Sequence, residues 1–237
     1  MSLQKKDFIE IDFSGRVKDG EVFDSTFKED LEKLHQGHDH TLEFKPFVFC
    51  LGEGMFLQAI DDFLIGKEVG KNYEIELESE KAFGKRNSTL IQTIPIKIFK
   101  EKNIYPSIGA TFNFDGKIGK VLAVSGGRVM IDFNHFLSGK TLIYKISVLG
   151  KIDDIDKKIK SLNEFFFRRE FKYEVQGEKL TMNVEKPLVK IVELFKDKFK
   201  EILALDLEVK ETEEVEEKAM EEAKETKNEI EKSQQSL

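Results

Sequence analysis

Between Phe47 and Gly66 the chain switches hydrophobic period once, and that switch limits the folds open to it. Phe47 to Leu51 is a short β-type run that breaks at Gly52-Glu53-Gly54. The segment then resumes with Phe56, Leu57, Ile60, Phe63 and Leu64 on one face of a 3.6-residue period. A strand feeding a short helix through two glycines makes a compact apolar platform with almost no reactive groups. Such a platform is either plain core or the floor of an apolar pocket.

The flanking segments supply β-structure. Phe8 to Phe13 alternates apolar and polar residues, and Asp19-Gly20 is a hairpin signal before Val22-Phe23-Asp24-Ser25. Asp24 is a lone carboxylate beside an aromatic, and an Asx-turn would account for it as well as a functional role would. Tyr73, Ile75 and Leu77 alternate with acids in a further strand, followed by a loop carrying Phe83-Gly84. Large apolar side chains thus reach strand ends and loops from four separate segments.

Phe is abundant (21, against 4 Tyr and no Trp), while the single Cys50 excludes an internal disulfide framework and suits a reducing cytosol. No apolar run reaches the length of a membrane span, and residues 1–12 hold no apolar signal core, so a soluble, cytoplasmic protein is expected. From Glu208 to Leu237 there are 11 acidic and 5 basic residues. The rest of the chain is nearly neutral, which gives no electrostatic footprint for nucleic acid. His35, His38 and His40 are spaced as Zn or Ni ligands could be, but no cysteine accompanies them and a solvated loop is the expectation. Ser138-Gly139-Lys140-Thr141 resembles the end of a phosphate loop, yet Asn134 stands where its first glycine is required.

Five motifs in order, Ile11 to Gly15, Asp19 to Ser25, Leu51 to Ile60, Val69-Gly70 and Ala82 to Gly84, resemble the FKBP-type peptidyl-prolyl cis-trans isomerases. Asn134 to Val148 resembles the closing strand of a subgroup, the SlyD-like and archaeal long-type members, in which a chaperone domain is inserted in the flap. The resemblance spans residues 5–152. It implies an α+β fold: an antiparallel sheet wrapped on a short helix, with a small all-β insert. The implied domains are 1–86 with 134–152 for the isomerase, 87–133 for the insert, 153–207 for a C-terminal α-β-β-α-β unit and 208–237 for an acidic tail, helical or disordered.

Transferred residue by residue, the resemblance assigns catalytic roles to Asp24, Phe13, Phe23, Phe83 and Tyr144, and substrate binding to Phe47, Phe56, Leu57 and Ile60. The Leu57 N–H is implied to bind a substrate carbonyl. The family commonly carries Tyr at the positions of Phe13 and Phe83 and often Trp at that of Ile60, which implies a roomier pocket and weaker binding of macrolide inhibitors. No metal or cofactor is expected. The implied partners are unfolded or proline-containing polypeptides, with a homodimer through the C-terminal domain as an option. A holdase with little isomerase activity, or an assembly module, is the alternative.

Residues 87–133 hold too many apolar side chains for so small a unit to bury, among them Ile94, Ile98, Tyr105 and Phe114, so an exposed apolar surface is expected there. Beyond Asp153, Ile155, Ile159, Leu162, Phe165 and Phe166 mark a helix, Phe171 to Val184 a hairpin about Gln176-Gly177, and Pro187 to Ile202 one further helix. Leu205 to Val209 is a candidate last strand.

Overall fold

The computed structural model describes residues 2–34 and 45–212. The histidine loop and residues 213–237 of the acidic segment therefore lie outside the described residues. The chain divides into two compact units. The first holds Met1–Gln4, Glu10–Phe47 and Phe56–Gly150, and the second holds Lys5–Ile9, Val48–Met55 and the chain from Lys151 on.

The principal sheet has strands β1 (Phe8–Val17), β2 (Val22–Ser25), β3 (Phe47–Cys50), β4 (Asn72–Leu77) and β9 (Leu142–Lys151). Its order is β2-β1-β9-β4, with β3 also paired to β1. The expected hairpin joins β1 to β2 in antiparallel register, and Asp19 takes the positive φ that the tight turn requires. Helix α1 (Lys28–Leu34) follows β2, and α2 (Gln58–Leu64) buries Ile60, Asp61 and Leu64. Gly52 and Gly54, at φ +81° and +69°, turn the chain from β3 towards α2 through a left-handed conformation that suits glycine. The helix starts later than its sequence period suggests. Phe56 and Leu57 precede it, with Leu57 as its extended first cap, so their side chains are set by loop geometry.

Within the first unit, residues 91–132 form a second, all-antiparallel sheet. Strands β5 (Ile91–Pro95), β6 (Thr111–Phe114), β7 (Lys117–Ser125) and β8 (Arg128–Asp132) run in the order β5-β8-β7-β6, with α3 (Ile96–Glu101) between β5 and β6. Its core is only Phe99, Val121, Val129 and Ile131, flanked by partly buried Ile94, Ile104, Phe112 and Phe114. Four buried side chains cannot shelter the remainder. Tyr105 stays 84% exposed, Ile108 72% and Ile118 69%.

The second unit carries α4 (Ile155–Phe167), capped by the Asp154 carboxylate accepting from the Asp156 and Lys157 N–H groups. Strands β10 (Lys172–Gln176) and β11 (Lys179–Glu185) form the expected hairpin, and β12 (Asp206–Thr212) joins β11 in parallel. A parallel pair needs a crossover. The sequence period suggested one helix there, but the structure has two, α5 (Lys186–Glu193) and α6 (Lys196–Leu203). Between them the Leu194 and Phe195 N–H groups bond three residues back, to Ile191 and Val192. Phe195 packs against Phe166 at 4.6 Å and Phe167 at 5.2 Å, a tertiary contact that local periodicity does not register. β12 extends through Thr212, so Glu208 to Thr212 are strand.

Candidate active site

β1 and β2 bring the first site residues together. The Phe13 backbone is held on both sides: its N–H donates to Thr26 Oγ1 at 2.9 Å, while its carbonyl accepts from the Thr26 N–H (2.9 Å) and Ser25 Oγ (3.0 Å). Thr26 Oγ1 in turn donates to Asp12 Oδ1, and Ser25 Oγ accepts from the Phe27 N–H. The turn after β2 is therefore built by the two hydroxyls. Asp24 does not scaffold that turn; its side chain lies at the edge of the ring cluster and stays partly open to solvent.

Five rings converge. Phe13, 5% exposed, lies 5.0 Å from Phe56, 6.0 Å from Phe47 and 6.2 Å from Tyr144. Tyr144, 2% exposed, meets Phe23 at 5.8 Å and Phe56 at 5.7 Å, both edge to face. Phe47 and Phe56 are 5.4 Å apart. Tilted and edge-on rings at these separations favour the quadrupole geometry of aromatic pairs. Phe23, Phe47 and Phe56 are each only half-buried, so the cluster has an open side. Ile60 is fully buried one turn beyond Leu57 on α2. The Leu57 carbonyl accepts from Ile60 and Asp61, while its own N–H bonds to nothing among the described residues.

Gly15 is a residue that sequence reasoning passed over except as motif spacing. A Cβ there would meet Phe23 Cζ and Tyr144 Cε1, each at 2.9 Å. Only the missing side chain lets both rings lie against β1. Gly15 is also the ladder partner of Asp24, and opposed residues share a sheet face. The carboxylate thus stands beside the Tyr144 ring. Its partial burial there pushes the Asp24 carboxyl above the ordinary carboxylate range, against the pull of the Ser25 N–H. Burial, and then the Asp24 charge, push the Tyr144 phenol upward, which keeps its hydroxyl a neutral donor.

Phe83 has a different partner. Its ring stacks on His135 at 4.5 Å and 6°, and its carbonyl accepts from Ser138 Oγ. His135 was not among the expected site residues, and no local signal marks it, because its partner is 52 positions away. Two open hollows, of about 590 and 480 Å³, share Phe27 and Lys145 and lie on the other face of the sheet, with Ser14 and Arg16 of β1 along the first. Their walls carry Lys28, Glu29, Asp30 and Glu74, a poor match for an apolar ring.

A short-type peptidyl-prolyl cis-trans isomerase of Methanocaldococcus jannaschii is 32% identical over 146 residues, 62% of this chain and 92% of that protein. The chain belongs to the FKBP-type peptidyl-prolyl isomerase family. An FKBP-type 16 kDa isomerase of Escherichia coli is 29% identical over 153 residues (62% of this chain, 93% of that protein). The FKBP-type isomerase SlyD of Haemophilus influenzae is 27% identical over 155 (63% and 73%). Residues 92–137 match the family model described as FKBP26, IF domain, which takes in the second sheet of the first unit. Among the described residues no helix is long and apolar enough to cross a membrane.

Proposed function

We propose that the protein is a peptidyl-prolyl cis-trans isomerase acting on X-Pro bonds in polypeptides, with Phe13, Phe23, Phe47, Phe56 and Tyr144 walling the proline pocket and Ile60 as its floor. The observation that carries this reading is the half-open five-ring cluster with the Asp24 carboxylate at its edge. An X-Pro bond is planar through resonance, with a rotation barrier of about 18–20 kcal/mol. Twisting removes the conjugation and part of the carbonyl dipole, so a dry apolar site holds the twisted form better than the planar one. Rotation makes and breaks no bond and needs no nucleophile, metal or cofactor, which accords with walls of Phe, Tyr and Ile.

In this reading Asp24 orients the twisting carbonyl electrostatically. The Leu57 N–H, which has no acceptor among the described residues, takes a substrate carbonyl. Phe83 closes the mouth from the loop after β4. The 87–133 segment captures unfolded chain through Ile98, Tyr105, Ile108, Ile118 and Met130, all of them exposed. The 153–207 segment is a separate domain that pairs copies of the chain, through Ile191 and Leu194, 47% and 81% exposed. The protein acts in the cytoplasm.

A second reading, a holdase with little catalysis, draws on the same exposed side chains of the second sheet. Proline-limited refolding of a reporter protein separates the two. The isomerase reading expects acceleration by catalytic amounts of wild type and a loss of at least tenfold in Asp24→Ala. No acceleration by wild type would leave the holdase.

A further inference from the structure

Two chain segments, residues 86–91 and 132–139, carry the second sheet on the rest of the first unit, and side chains tie them at two levels. At the lower level the Gly139 N–H donates to the Gly84 carbonyl (2.8 Å) and Ser138 Oγ to the Phe83 carbonyl (3.0 Å), beneath the Phe83–His135 stack. At the upper level everything converges on Asp132, whose side chain is 13% exposed. Arg86 reaches Oδ2 with Nε at 2.8 Å and Nη2 at 2.6 Å. Asn134 reaches Oδ1 with its backbone N–H at 2.9 Å and Nδ2 at 2.6 Å. Asn134 then joins the other segment, with Nδ2 donating to the Asn87 carbonyl (2.9 Å) and Oδ1 accepting from the Asn87 N–H (2.8 Å). The Phe133 N–H donates to the Leu90 carbonyl one step further on.

A surface ion pair with one bond contributes little. Here one carboxylate with little exposure accepts four charge-assisted bonds from two segments, which orients it from both sides. Burial alone would raise the Asp132 carboxyl. The Asn134 amide and N–H, then Arg86, outweigh that and hold it below the ordinary range, so the lock stays charged.

We propose that Asp132 is a positioning residue, locking the second sheet to the isomerase loop so that a client held on the sheet's exposed apolar side chains is presented to the proline pocket in a fixed geometry. The inference rests on the proposed function. Two sites on one client reinforce each other only if their separation and orientation allow simultaneous engagement; a loose joint dilutes the second site's effective concentration. The lock therefore matters for long clients. It is irrelevant to a tetrapeptide, which the lower ties and the pocket handle alone.

The test compares full-length wild type, Arg86→Met, Arg86→Lys and Asp132→Asn on two substrates, a proline tetrapeptide and a proline-limited refolding protein. Arg86→Met removes the lock from the isomerase side and leaves every residue of the second sheet in place. Slow amide exchange at Val129 and Ile131 in all variants, with faster exchange at Phe133, checks that the sheet stays folded while the joint loosens. The expected result is tetrapeptide kcat/KM unchanged within about twofold. For the protein substrate, kcat/KM should be about tenfold lower through KM in Arg86→Met and Asp132→Asn, with partial rescue in Arg86→Lys. Wild-type activity on both substrates with Arg86→Met unchanged on both, or equally impaired on both, overturns the coupling alone. A wild type inactive on the tetrapeptide overturns the isomerase reading, and the coupling with it.

Discussion

At the scale of single residues, Asp24 and Asp132 make opposite predictions. Burial raises the Asp24 carboxyl, so the folded state binds its proton more readily than the unfolded chain does. That group's contribution to stability is fully present below the unfolded carboxylate value and is lost as pH rises through the folded one. Asp24→Asn should therefore raise Tm at pH 7, and the gain should vanish near pH ~3, where the wild-type carboxyl is also neutral. Asp132 is held low, so its contribution is present at neutral pH and is lost as pH falls through its folded value. Asp132→Asn should lower Tm at pH 7 and lower it less in acid. Thermal melts at the two pH values read both signs. Gly15→Ala tests the ring cluster: a Cβ would stand 2.9 Å from both Phe23 and Tyr144, and the rings must part. Isomerase kcat/KM should fall at least about tenfold, since contacts under van der Waals distance demand displacement of the pocket walls. Near-wild-type activity would show that these rings are not the walls.

At the scale of elements, most of what is seen was legible because periodicity and turn chemistry are local. Asp19-Gly20 and Gln176-Gly177 each lie at the turn of a described hairpin. The Phe13, Phe23, Phe47, Phe56 and Tyr144 cluster was reached through motif resemblance and is now seen as ring distances. The break between α5 and α6 was not legible, because Phe195 leaves the helix to meet Phe166 and Phe167 some 28 or more positions earlier. His135, Arg86 and Asp132 were missed for the same reason: stacking and carboxylate locks depend on residues brought together by the fold. α6 also ends on Ala204 at φ +57°, a left-handed position that disfavours a Cβ. Ala204→Gly should stabilise the protein by about 0.5–1 kcal/mol, read as a higher midpoint in urea.

At the scale of the whole molecule, we propose two tasks for one chain: the aromatic cluster twists X-Pro bonds, and a small sheet with too little core of its own holds clients. Replacing residues 91–132 by a short flap should leave tetrapeptide isomerisation intact. Acceleration of protein refolding should drop by an order of magnitude or more, because the second point of attachment is gone. Both tasks depend on the proposed identity of the five-ring cluster as the proline pocket. The most direct test is the cis-to-trans rate of a proline tetrapeptide with catalytic amounts of wild type and of Gly15→Ala. Wild type should accelerate the reaction, and Gly15→Ala should largely abolish that acceleration. Acceleration undiminished by Gly15→Ala, or none by wild type, would contradict that identity.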